Sequence, residues 1–327
     1  DGRHLLDAFT VHYYPQGGEF SSDTSTTMQL RRNQSTRSLW DPNYVDQTWI
    51  NDKVQLIPRL RGWVNNYYYP GTPIGITEYN WGAENHINGA TTQADILGIF
   101  GREGLDLAAR WTTPDASTPT YKAIKMYRNY DGNKSAFGDV SVTASGPNPD
   151  NVAVFAAQRS SDNALTIMVI SKYLSGATPV SIALSNFAGN GTAQVYQLTS
   201  SNAITKLADL AFSGSTASFT APAQSITLLV FPLGTPNTPP TAVAKVEKAG
   251  DVVNLNSASA AELEALPGIG AKVAARIIEY RTKKGPFRRV EDLMNVRGVG
   301  EKSFLKLRAQ LTVSGNAAQP QAPAPQQ

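Results

Sequence analysis

The chain has 327 residues, a 41% hydrophobic share, no cysteine and a net charge of +3. That length allows two or three domains of ordinary globular composition, and the missing cysteines exclude a disulfide framework and thiol chemistry. No apolar run approaches the ~20 residues needed to span a bilayer, so no membrane span is expected.

Charge is unevenly placed. Residues 251–313 hold 11 Lys and Arg against 7 Asp and Glu, a net +4, which leaves −1 for the remainder. The C-terminal part therefore reads as a separate module with an anionic partner. No signal peptide is visible. The chain opens at Asp1 rather than Met and reads as a fragment or processed product.

Leu5 to Tyr14 is apolar and β-rich, closed by Pro15-Gln16-Gly17-Gly18, and predicts a buried strand. Ser21 to Arg37 is polar and reads as loop. Pro42 to Tyr68 shows helical spacing at Val45, Trp49, Val54, Ile57, Leu60 and Val64, with Asp41 as the expected N-cap. Ile74-Gly-Ile-Thr-Glu-Tyr79 predicts a strand that ends at Glu78. Helix is expected over Thr91–Phe100, strand over Leu105–Trp111 and helix over Pro119–Tyr130. This β, α, β, α, β, α alternation is the pattern of a parallel sheet with crossover helices. A closed eight-unit barrel needs ~250 residues, so residues 1–132 read as the C-terminal portion of a TIM-like barrel.

Short alternating runs follow, from Val140 to Phe231, separated by Gly, Asn, Ser and Pro. They predict an all-β sandwich over residues 133–233. Residues 234–250 read as a Pro- and Thr-rich linker and 314–327 as a disordered Pro- and Gln-rich tail.

Between linker and tail, residues 251–313 contain a repeat offset by 30 residues. Gly268-Ile-Gly270-Ala-Lys272 matches Gly298-Val-Gly300-Glu-Lys302. Ser259-Ala-Ala-Glu262 is a capping-box pattern. A Gly-hydrophobic-Gly turn between helices permits tight backbone angles, and the free N–H groups of the next helix can hold a phosphate. Lys272 and Lys302 would add charge-assisted contacts. Arg276, Arg281, Lys283, Lys284, Arg288, Arg289, Arg297, Lys306 and Arg308 supply further positive charge.

For Glu78 the local pattern supports two readings. It is a catalytic carboxylate at the C-terminal end of a barrel strand, or a structural Glu hydrogen-bonded at a strand end.

Two resemblances extend these readings. Val253-Asn-Leu-Asn-Ser-Ala-Ser-Ala-Ala-Glu-Leu263, Leu266-Pro-Gly-Ile-Gly270, Gly285-Pro-Phe-Arg-Arg-Val-Glu-Asp-Leu293 and Val299-Gly300 resemble the paired helix-hairpin-helix domain of ComEA-type competence proteins. The resemblance implies non-sequence-specific binding of double-stranded DNA through Gly268, Gly270, Lys272, Gly298, Gly300 and Lys302.

His12-Tyr-Tyr-Pro-Gln16, Ser38-Leu-Trp-Asp-Pro42, Gly75-Ile-Thr-Glu-Tyr-Asn-Trp-Gly82, His86-Ile-Asn-Gly89, Ala94-Asp-Ile-Leu-Gly98 and Tyr127-Arg-Asn-Tyr-Asp-Gly132 resemble glycoside hydrolase family 44. These endoglucanases and xyloglucanases have a TIM-like barrel plus a β-sandwich. The resemblance implies a β-glucan substrate; no cofactor and no metal are expected. It gives Glu78 the role of nucleophile in a retaining mechanism and makes Tyr13, Tyr14, Trp40, Trp81 and Trp111 candidates for stacking on sugars. The family's acid/base Glu lies in an Asn-Glu-Pro type sequence, which does not occur here. The expectation is a multidomain chain: a partial (β/α) barrel, a sandwich and a small all-α pair. It would hydrolyse little unaided and work outside the cytoplasmic membrane. The alternative is a DNA-binding protein whose carbohydrate-enzyme half is scaffold.

Overall fold

Three parallel strands, β1 (Phe9–Tyr13), β2 (Ile74–Tyr79) and β3 (Leu107–Arg110), pair in the order β1-β2-β3. The helices α1 (Thr26–Ser35), α2 (Leu56–Tyr67), α3 (Ile87–Arg102) and α4 (Pro119–Arg128) alternate with them. The computed structural model describes residues 4–185, 189–232, 244–247, 253–264, 266 and 268–313. The chain divides into two compact units, Asp1–Ala249 and Gly250–Gln327.

Helix α3 is the centre of the first unit. Thirteen of its 16 residues are buried, which is the signature of a helix covered on all sides. One apolar core joins β2, α3 and the sandwich, from Ile74, Ile76 and Ile96 to Met168, Ile170 and Leu228. The contact is close: a Cβ built on Gly98 would stand 2.2 Å from the Phe155 ring.

The sandwich strands are β4 (Val140–Val142), β5 (Ala144–Ser145), β6 (Val152–Gln158), β7 (Leu165–Ser171), β8 (Thr178–Ala183), β9 (Gly189–Leu198), β10 (Ile204–Lys206), β11 (Leu210–Gly214), β12 (Thr216–Ala221), β13 (Ser225–Phe231) and β14 (Ala244–Glu247). They hydrogen-bond in the order β4-β6-β7-β13-β9-β11-β12-β8-β14-β5, with β10 on β9. β7 and β13 are buried along their whole length.

Three sequence expectations change. The stretch read as loop contains α1, whose buried residues are Leu30, Arg32, Asn33, Gln34 and Ser35. A helix that buries polar side chains has no apolar period to read. The helix expected from Pro42 begins only at Leu56, because the Asp41 carboxylate accepts from Arg37 and from the Asn43 amide in a turn instead of capping a helix. Four residues of the expected linker, Ala244–Glu247, pair with β8 and β5. The rest of the linker and the tail after Val313 lie outside the described residues.

A buried ion pair fastens the helical layer to the sandwich. Lys172, just past β7, reaches Asp95 of α3, with 1% and 4% of the two side chains exposed. Thr36 donates to the same Asp95 oxygen at 2.7 Å, and Asn33 donates to the Lys172 carbonyl at 2.9 Å.

The second unit holds α5 (Ala260–Glu264), α6 (Ala271–Lys284) and α7 (Glu301–Leu307), closed by the parallel pair β15 (Val253–Asn254) and β16 (Leu311–Thr312). Leu263, Ile269, Ile277, Leu293, Val299, Phe304 and Leu307 form its core. The capping box forms as expected: Ser259 N–H donates to Glu262 at 2.7 Å and Glu262 N–H to the Ser259 hydroxyl at 3.3 Å.

Removing one partner of a buried ion pair strands the other charge, whereas replacing both with apolar groups is close to neutral. Asp95→Ala should therefore cost about 3–5 kcal/mol. Asp95→Leu combined with Lys172→Met should recover most of that loss. Urea unfolding of the three proteins measures both; equal losses in the single and double variants would contradict the pairing.

Candidate active site and nucleic-acid interface

Strict alternation along β2 would send Glu78 to the same side as Ile74 and Ile76, into the core. The pairing prevents this. The β1–β2 register runs Val11↔Ile76 and then His12↔Glu78, so one extra residue, Thr77, is accommodated on β2. Such a bulge re-aims the side chains that follow it. Tyr79 and Trp81 take over the buried face, at 3% exposure each, and Glu78 turns to the opposite one. On β1, Tyr13 is buried, while His12 and Tyr14 lie one residue to either side of it.

The result is a small polar cluster. The Tyr14 hydroxyl donates to Glu78 Oε2 at 3.1 Å, and His12 Nδ1 stands 3.2 Å from the same oxygen. Burial and the bond to the Glu78 carboxylate both hold the Tyr14 phenol above its ordinary pKa. Among the described residues, the groups contacting Glu78 are thus a phenol and an imidazole. Glu84, the next carboxylate in the chain, is taken by Arg110 at 2.8 Å. Arg110 also donates to Asn80 Oδ1 (3.0 Å) and Gln93 Oε1 (3.1 Å), and Gln93 donates to the Tyr79 hydroxyl (3.0 Å).

Arg32 holds the loops behind this rim. It is fully buried and donates to the carbonyls of Glu19 (2.7 Å), Ser21 (2.8 Å), Asp23 and Trp81 (2.9 Å) and to Asn88 Oδ1 (3.4 Å). These acceptors come from the loop after β1, the loop after β2 and the first turn of α3. His86 caps α3, its Nδ1 accepting from the Asn88 amide at 3.1 Å.

The five aromatic candidates separate. Tyr14 reaches Glu78. Trp111, 56% exposed, follows β3, and its carbonyl accepts from the Asn80 side chain. Tyr13 and Trp81 are core residues with ring centroids 5.7 Å apart, and the Trp81 indole N–H is spent on Ser35 at 2.9 Å. Neither offers a free ring face to a sugar. Trp40 lies under the Arg102 guanidinium at 4.1 Å, at the C-terminal end of α3. A 16-residue helix is about 24 Å long, so Trp40 is remote from the loops at the other end. His12 and Arg110 were passed over in the sequence. The signal for His12 was available: it is two residues from Tyr14 on the same strand face.

In the second unit the repeat is a repeat of backbone geometry. Gly268 and Gly298 have φ of +85° and +104°, which only glycine adopts without strain. Gly270 and Gly300 sit at the N-caps of α6 and α7, with φ of −97° and −91° and no side-chain cap. Among the described residues, nothing lies within 4 Å of a Cβ built on Gly270 or Gly300. Neither the backbone angle nor the packing within the unit therefore demands glycine there. Lys272 is exposed in the first turn of α6. Lys302 follows at the matching position of α7, but its side chain lies outside the described residues.

Parallel strands with a carboxylate at their C-terminal rim, a packed sandwich, and paired Gly-hydrophobic-Gly hairpins are the features to compare with known proteins. The first unit is similar to part of glycoside hydrolase family 44 structures, and the second to helix-hairpin-helix domains. In sequence, 183 residues are 41% identical to endoglucanase A of Paenibacillus lautus, covering 53% of this chain and 26% of the relative. The crystal structure of CelM2, a bifunctional glucanase-xylanase from a metagenome library, matches at a TM-score of 0.69 and 73% identity, over 71% of this chain and 45% of that one. A family 44 xyloglucanase of Paenibacillus polymyxa matches at 0.65 and 31%, over 71% of this chain and 48% of its own. Residues 248–312 match the helix-hairpin-helix motif family model. ComE operon protein 1 of Bacillus subtilis is 44% identical over 64 residues, 20% of this chain and 31% of that protein. The chain thus spans between about a quarter and a half of these relatives. No helix among the described residues is long and apolar enough to cross a membrane.

Burial, with a contribution from the nearby Arg32 charge, holds the His86 pKa below its ordinary 6.5. The unfolded chain thus takes up this proton at a higher pH than the folded chain, and the resulting stability is present above about pH 6.5 and lost as the pH falls through the depressed value. The unfolding midpoint should drop between neutral and mildly acidic pH by more in the wild type than in His86→Asn, which keeps a capping side chain without a titrating group. Parallel pH profiles would contradict this.

Proposed function

We propose that the first unit is the nucleophile-bearing part of a retaining β-1,4-glucan hydrolase, with Glu78 as the attacking carboxylate. The observation that carries the reading is the bulge that turns Glu78 out of the core and onto the Tyr14 hydroxyl. Tyr14 and His12 fix one carboxylate oxygen, which leaves the other to approach an anomeric carbon. The exposure of Trp111 just past β3 supports a role in stacking on a sugar, and the burial of Tyr13 and Trp81 and the Arg102 contact of Trp40 support roles in packing.

A retaining enzyme needs a second carboxyl group ~5–5.5 Å from the nucleophile to protonate the leaving oxygen. Among the described residues, none of the groups contacting Glu78 is a carboxyl, and Glu84 is bound to Arg110. The Asn-Glu-Pro type sequence that holds the acid in the family it resembles does not occur here either, so the 327 residues alone should turn over little unactivated glucan.

The second unit is assigned to double-stranded DNA, held through the hairpins Gly268–Lys272 and Gly298–Lys302. Glycine at 270 and 300, where the unit itself has room for a side chain, supports close approach of an outside group. Helix N-terminal N–H groups without side-chain caps suit phosphate oxygens. Both assignments fit a location outside the cytoplasmic membrane. The missing acid also favours a second reading, in which DNA binding is the working activity and the first unit is scaffold.

Two assays separate the readings. Duplex DNA should shift on a low-salt gel and be released by added salt, and Lys272→Glu with Lys302→Glu should lose the shift. Reducing-sugar release from carboxymethylcellulose or xyloglucan should stay near background. Release abolished by Glu78→Gln would establish Glu78 in catalysis and contradict the expected low turnover. No gel shift at low salt would remove the DNA assignment.

A further inference from the structure

The positive charges of the second unit are not equivalent. Internal contacts occupy Arg281 on the Leu255 carbonyl (2.8 Å), Arg289 on Asp292 (3.0 Å) and Arg308 on Glu291 (2.9 Å). A groove of about 370 Å³ runs between α6 and the segment Asn295–Arg297, lined by Arg276, Tyr280, Lys283, Lys284, Asn295 and Arg297. Four of those six side chains are cations. The one acidic group on the groove, Glu279, is neutralised by Lys283 at 2.7 Å. Lys284 and Arg297 are exposed and meet no side-chain partner among the described residues.

The groove joins the second hairpin. Arg276 Nη1 donates to the Arg297 carbonyl at 2.9 Å and lies 3.0 Å from where a Gly298 Cβ would stand. One guanidinium therefore braces the turn that begins the hairpin and forms part of the groove wall. Tyr280 is held in place by stacking on Phe287, with ring centroids 4.9 Å apart. Two free cations on a wall fixed by packing suit a polyanion that runs along the surface.

We propose that this groove is a second phosphate track. It takes the sugar-phosphate backbone of duplex DNA where the strand continues past the hairpin Gly298–Gly300. The proposal rests on the assignment of this unit to duplex DNA and adds contacts that the paired hairpins do not supply. Lys284 and Arg297 each neutralise a phosphate, and Arg276 is a positioning residue that holds the hairpin and the groove together.

The test is the salt dependence of duplex binding by the whole 327-residue chain. Each neutralised phosphate contributes roughly 0.9 to the slope of log affinity against log salt. Lys284→Gln with Arg297→Gln should flatten the slope by about two. Arg288→Gln with Lys306→Gln removes the same charge from exposed positions off the groove and should change the slope far less. Equal flattening in both double variants would overturn the track in favour of a net-charge effect. So would an unchanged slope in the groove variant, while wild-type binding would leave the hairpin assignment standing. Absence of wild-type binding would overturn both.

Discussion

The first unit depends on the burial of Arg32. A guanidinium removed from water is costly unless every N–H finds an acceptor, and here the acceptors are mostly backbone carbonyls rather than a carboxylate. Desolvation accordingly lowers the Arg32 pKa, opposed by the charges of Asp23 and Glu19. Because the carbonyls belong to the loops after β1 and β2, one side chain sets the spacing of the two strand ends that carry Tyr14 and Glu78. The loops touch directly as well: a Cβ on Gly82 would come within 2.3 Å of the Ser21 carbonyl. The polar network continues through Asn88 and Asn33 to Lys172 and Asp95. The rim around Glu78 is thus anchored through α1 and α3 to the sandwich.

The second unit reaches rigidity by other means. Asn256 bonds both ways with Phe287 and also reaches the Val313 carbonyl, so its two ends are tied to the middle. Ile269 and Val299, the central residues of the two hairpins, are buried at 4% and 5% exposure. They anchor the turns from inside and leave the flanking glycines at the surface. The same device twice, 30 residues apart, gives two outward backbone edges on a small core.

Much of this was legible from sequence. The β2 strand and α4 lie where periodicity put them, and the sandwich strands β4 to β13 fall within the stretch Val140–Phe231 read as alternating runs. The hairpins were readable because left-handed backbone leaves glycine as its mark at 268 and 298. What escaped had no apolar signature. Helix α1 buries Arg32, Asn33 and Gln34, so its period is written in polar residues. Strands β10 and β11 are short and mostly exposed. At the candidate site, the position of Glu78 near the end of β2 was readable but its orientation was not, since a bulge of one residue reverses the alternation and nothing at Thr77 announces it. Counting aromatics near a strand end likewise could not separate Tyr14 from Tyr13, or place Trp40 at the far end of α3.

The proposed role of Glu78 as a nucleophile can be tested apart from any acid. An activated aryl 2-deoxy-2-fluoro-β-cellobioside carries a leaving group that departs without protonation, so it tests the nucleophile alone. Incubation with the 327-residue chain, followed by peptide mass spectrometry, should find the fluorosugar on the peptide containing Glu78, with none on Glu78→Gln. An unlabelled chain, or a label on any other carboxylate, would contradict the account.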